Sequence, residues 1–126
     1  MAAVGGRRHL LMAMKIEKLI TRKNLRLAWR RITSSSDARY KAFFRPILEA
    51  YEISYEKNLE DLRQRIKNRV YEPQSPIRFY VPKPSGLQRP LTLLHLEDQI
   101  VYQALANLFA EKISRKKSKT CLQKYL

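Results

Sequence analysis

Apolar residues recur with a helical period in four segments of this chain, and with a period of two in one short stretch. In TRKNLRLAWRRI, residues 21–32, Leu25, Ala28, Trp29 and Ile32 fall at i, i+3, i+4 and i+7 and so share one helix face. Thr21 suits the N-cap, and Ile20 before it can staple onto Leu25. The opposite face carries Arg22, Lys23, Arg26 and Arg30, which separates an apolar side from a basic one. The polar run TSSSD ends this helix and offers Ser36 or Asp37 as the cap of the next.

Tyr40, Phe43, Phe44, Ile47, Leu48 and Tyr51 then repeat at helical spacing, and Pro46 inside the pattern predicts a kink or a split. A third helix follows from the stripe Leu59, Leu62, Ile66 and Val70. Its acids Glu56, Glu60 and Asp61 come early and its cations Arg63, Arg65, Lys67 and Arg69 late, as the helix dipole favours. The prolines of YEPQSP end that helix in a loop. IRFYVPK and RPLTLL flank a Pro-Ser-Gly turn and predict a β-hairpin. In LEDQIVYQALANLFAEKI, the residues Leu96, Ile100, Val101, Ala104, Leu105 and Leu108 form one broad apolar face, which predicts a well-buried final helix. The fold class is therefore α+β and mostly helical: N-terminal helices, one hairpin, and a buried helix after it.

The chain has 126 residues, enough for one modest core. Residues 1–14 read as a disordered leader, 15–112 as the folded region, and 113–126 as a disordered or truncated basic tail with five cations and no acid. Lys and Arg number 26 against 11 Asp and Glu, a net charge of +15 that calls for a polyanion, either nucleic acid or an anionic surface. No apolar run approaches the ~18 residues of a membrane span, which leaves no membrane-spanning role. The single cysteine, Cys121, rules out an internal disulfide and fits a reducing, cytoplasmic location.

The stretch VPKPSGLQRPL, residues 81–91, carries the chemistry. Pro82 and Pro84 fix the backbone on both sides of Lys83, and Pro90 does the same after Arg89. A stiff hairpin tip with a lysine point charge and an arginine fork suits a triphosphate. The same cations also fit a surface hairpin whose charges are merely solvated.

The ordered series Tyr71-x-Pro73, Pro82-Lys83, Gly86, Arg89-Pro90-Leu91, then Asp98 and Gln103-Ala104, resembles the fingers segment of bacterial reverse transcriptases of the group II intron and retron-like families. The upstream LITRKNLRLAWRRI and NLEDLRQRIKNRVYEP are similar to its opening segments, so the resemblance spans about residues 16–110. It implies an N-terminal fingers part of a right-hand RNA-directed DNA polymerase. Lys83 and Arg89 would lie over the triphosphate of the incoming dNTP. Arg22, Lys23, Arg26, Arg30 and Tyr71 are the candidates for RNA template and primer contacts, with Tyr71 and Tyr80 fitting either base stacking or aromatic core filling, while Asp98 and Gln103 are expected to orient the helix behind the hairpin.

Such an enzyme uses Mg²⁺ held by palm aspartates, one pair of them adjacent. Asp37, Asp61 and Asp98 are isolated here, and no Asp-Asp occurs. No catalytic or metal-binding residue is therefore expected in this chain, and the palm is expected beyond residue 126. Two other readings remain open from the residues: a non-catalytic basic RNA-binding module, and an interaction protein whose basic helices meet an anionic membrane or a partner helix.

Overall fold

A computed structural model describes residues 16–34 and 38–124, with side chains over 16–34 and 45–115. The leader, Ser36, Asp37, the side chains of Tyr40, Phe43 and Phe44, and that of Cys121 lie outside the described residues. Described are five helical segments and one hairpin: α1 (16–19), α2 (Arg22–Ser34), α3 (Ala38–Glu52), α4 (Tyr55–Lys67), β1 (Ile77–Pro82), β2 (Gln88–Leu93) and α5 (Leu96–Lys124).

Helix α2 starts as its sequence dictates. The Thr21 Oγ1 accepts the Asn24 N–H at 3.3 Å, satisfying one orphan donor of the first turn, and Ile20 before it is buried. Leu25, Ala28 and Trp29 are buried and Ile32 packs beside them, as the spacing predicts. Helix α3 is continuous through Pro46 rather than split. Pro46 is exposed, on the side where water can take a carbonyl left without its N–H.

Helix α4 ends two bonds into a left-handed cap. Arg69 has φ 59°, its N–H donates to the Ile66 carbonyl at 3.1 Å, and the Val70 N–H donates to Arg65 at 3.0 Å. This is the Schellman arrangement with arginine where glycine is usual. Because the helix stops there, Val70 leaves the stripe expected to bury it and is exposed.

The core joins α2, α4 and α5 through Leu25, Ala28, Trp29, Leu59, Leu62, Leu96, Ile100 and Ala104. Trp29 lies over Tyr55, ring planes 8° apart at 6.4 Å, and Tyr51 tilts against it at 5.0 Å. Among the described residues, none of the hairpin belongs to this cluster of buried side chains.

Helix α5 departs from expectation twice. Its buried face is narrower, because Leu105 is exposed. It also continues through Lys124, so residues 113–124, within the segment 113–126 expected as a disordered or truncated tail, extend the helix.

Candidate nucleic-acid interface

The hairpin tip is built by two backbone bonds. The Gly86 N–H donates to the Lys83 carbonyl at 3.0 Å, and the Lys83 N–H donates to the Leu87 carbonyl at 2.8 Å. Pro84 takes the second position of this turn and Gly86 the left-handed one, at φ 83°. A turn of this form followed by a left-handed residue is the usual three-residue hairpin loop, and only glycine enters it without strain.

The strands pair antiparallel with Val81 opposite Arg89, Tyr80 opposite Pro90 and Pro82 opposite Gln88. Bonded and non-bonded pairs alternate in such a ladder. Counting from the bonded Lys83–Leu87 pair, Pro82 and Pro90 both fall at non-bonded positions. Their missing N–H groups cost no ladder bond, so the prolines stiffen the strands without opening them.

The pleat sorts the side chains. Phe79, Val81, Leu91 and Arg89 share one face, and Lys83 continues the parity of that face beyond β1. Arg78, Tyr80, Gln88, Pro90 and Thr92 occupy the other face and are exposed. Lys83 and Arg89 are exposed, and neither side chain makes an ion pair or hydrogen bond among the described residues. The two cations thus flank Val81 from successive same-face positions.

The basic face of α2 divides in two. Arg22 pairs with Glu60 at 3.1 Å and Arg26 with Glu56 at 3.0 Å, both acids coming from α4. Arg63 also holds Glu60 at 3.0 Å and donates to the Ile20 carbonyl. These groups edge a groove of about 210 Å³ between α2 and α4. Bonds from Gln64, then Arg22 and Arg63, pull the Glu60 carboxyl down to about 2. Lys23 and Arg30, by contrast, are exposed and unpaired among the described residues. The sequence shows that α2 has a basic face; it does not show that the early acids of α4 lie against half of it.

Of the two roles open to Tyr71, the structure shows core filling: it is half-buried against the core, and its hydroxyl donates to Asp98 Oδ1. Burial first, then Asp98, raise the phenol's pKa above its ordinary value. The Gln74 N–H donates to the other Asp98 oxygen at 3.0 Å. Asp98 therefore ties the loop before the hairpin to the first turn of α5.

Gln103 belongs to a polar layer that apolar periodicity did not reveal. Asn24 Nδ2 donates to the Leu19 and Ala104 carbonyls, Asn107 Nδ2 donates to Asn24 Oδ1, and Asn107 Oδ1 accepts from Arg31 at 2.5 Å and Gln103 at 3.0 Å. Asn24 and Asn107 are both buried in positions that the helical wheel assigns to the inward face.

Asp61 accepts from Arg65 at 2.9 Å, Asp98 is engaged by Tyr71 and Gln74, and no group of potential ligands gathers among the described residues. Nor is any helix there long and apolar enough to cross a membrane. No family model matches the chain, and neither does any curated protein or solved structure.

Proposed function

We propose that this chain is a fingers-type element of an RNA-directed DNA polymerase: Lys83 and Arg89 engage nucleotide phosphate, and Lys23 and Arg30 engage the RNA backbone. The observation carrying this reading is that two unpaired cations occupy one face of a proline-stiffened hairpin outside the core. A core hairpin has no use for that arrangement. A triphosphate does, because fixed donors need no reorganisation when charge arrives. Arg22 and Arg26 contribute less, since Glu60 and Glu56 already hold their guanidinium groups. On this reading the metal-binding carboxylates and the phosphoryl transfer belong to a palm, and the hairpin's part is to hold the phosphates.

The test is titration of ¹⁵N-labelled chain with dNTP, followed by NMR. Shifts concentrated on residues 81–91, and lost in Lys83→Ala/Arg89→Ala, are the expected result. Shifts spread evenly over α2, α4 and the hairpin would show diffuse charge attraction and overturn the assignment.

A second reading, a basic RNA-binding module without a nucleotide site, draws on the exposed Lys23 and Arg30 and the charge of +15. It predicts RNA binding of ordinary strength with no dNTP response at the hairpin.

A further inference from the structure

Helix α5 has a second face that its own fold does not use. Leu96, Ile100, Ala104 and Asn107 point into the core, whereas Tyr102, Leu105, Phe109 and Ile113 are 67%, 40%, 61% and 56% exposed. The latter are spaced i, i+3, i+7 and i+11, which draws one narrow stripe along the side of the helix away from the core. From Phe109 to Arg115 every residue is exposed, so the helix has left the globule and all its sides are accessible. Its sequence from 109 to 124 holds six cations and one acid, Glu111, which is taken by Arg115 at 2.6 Å.

We infer that this stripe docks into a protein groove that is apolar at its floor and lined with carboxylates at its rim. The spacing is that of helix-in-groove recognition, where anchors recur on one face and the groove buries them. The cations beyond Phe109 require a negative rim. Residues 109–115, where every side chain is exposed, make only about two turns, too few to be stable as an isolated helix in water. A groove that encloses the protruding end supplies the missing contacts.

Two other occupants fit less well. A second copy would bring +15 against +15. A lipid surface takes a helix with a broad apolar face, whereas among the described residues the stripe is one side chain wide and Leu96, Ile100 and Ala104 are buried in the core.

Calcium-loaded calmodulin, an acidic, methionine-lined groove that accepts basic amphipathic helices, is the probe. Isothermal titration should give a one-to-one, calcium-dependent complex with the full chain. Phe109→Ser/Ile113→Ser should weaken it about tenfold to a hundredfold, as loss of two anchors does, with circular dichroism and RNA affinity unchanged. Tyr102→Ser/Leu105→Ser, nearer the globule, should act in the same direction and serves if the first variant loses its fold. Absence of a complex overturns the proposal, and so does equal binding by both variants, which would mean charge attraction alone. The inference also fails if the stripe substitutions abolish binding to phosphatidylserine vesicles while leaving the calmodulin complex intact, or if they dissociate a dimer seen by sedimentation.

Discussion

Tyr71 and Asp98, 27 residues apart in sequence, join the loop before the hairpin to the first turn of α5 through a phenol–carboxylate hydrogen bond. The same carboxylate accepts the Gln74 N–H, so one buried acid fixes two points of the loop. The direction in which the hairpin leaves the body depends on that attachment.

Tyr71→Phe keeps the ring in the core and removes the hydroxyl. A buried carboxylate that loses a donor retains its desolvation penalty, so the fold should lose about 1–3 kcal/mol. Urea denaturation measures this directly. RNA affinity extrapolated to the folded state should stay the same. A variant of unchanged stability but sharply weaker RNA binding would restore the stacking role that the sequence suggested for this tyrosine.

Arg69 permits a test of the opposite sign. Its left-handed conformation costs a residue with a side chain about 1–2 kcal/mol, while glycine costs about 0.5–1 kcal/mol in extra unfolded-state entropy. The first effect is the larger, so Arg69→Gly should stabilise the protein by about 0.5–1 kcal/mol. A shift of the denaturation midpoint to lower urea would mean that the arginine makes a contact stronger than its strain.

These caps and ties mark what the sequence made legible. The helices, the hairpin and its glycine were readable because each rests on local periodicity or on one residue's backbone preference. Asn24 and Asn107 were not, because a polar residue on an inward face looks like an interruption until its partner on another helix is known. The division of the α2 cations has the same cause: Arg22 and Lys23 are neighbours in sequence, yet only Arg22 meets an acid of α4. The hairpin positions of Lys83 and Arg89 were legible because the prolines and the turn set their geometry within eleven residues.

Glu60 gives the fold an acid dependence. Its carboxyl ordinarily titrates at 4.5 and is lowered to about 2 in the folded protein, chiefly by the Gln64 bond and then by Arg22 and Arg63. A depressed folded value means that the folded state holds the ionised form. This contribution is therefore complete above 4.5 and is lost as pH falls from 4.5 toward 2. The group lies at the surface, so salt weakens the effect. Melting temperatures of the protein and of Glu60→Gln should converge over this window. A constant difference between the two curves would assign the stability to something other than the charge.

RNA affinity should fall steeply with salt, and the α2 cations should contribute unequally. Each phosphate contact on a single strand adds about 0.7 to the slope of log K against log salt. Lys23→Gln/Arg30→Gln should therefore reduce the slope by about 1.4 if each cation meets one phosphate. Arg22→Gln/Arg26→Gln should reduce it less, because those guanidinium groups begin the reaction paired with Glu60 and Glu56. Filter binding at several salt concentrations separates the two. Equal slopes for both double variants would mean that the ion pairs to α4 open without cost.

The hairpin cations call for a different readout, taken once the chain is joined to the palm of a reverse transcriptase. Lys83→Ala and Arg89→Ala should each raise the KM for dNTP and slow incorporation, together by about tenfold to a hundredfold per lost charge-assisted contact. RNA affinity should change little, since the two positions share one exposed hairpin face and the proposal assigns the backbone contacts to α2. Arg89→Lys should rescue only in part, because an ammonium cannot supply two parallel hydrogen bonds to a phosphate. Lys83→Arg tests the converse. At a tip held by Pro82, Pro84 and the left-handed Gly86, a larger planar head has little backbone freedom with which to adjust, so it too should fall short. Lys23→Gln/Arg30→Gln is the contrast, weakening RNA binding with an unaltered dNTP dependence. If the hairpin and helix substitutions shift both quantities alike, Lys83 and Arg89 are only further basic surface.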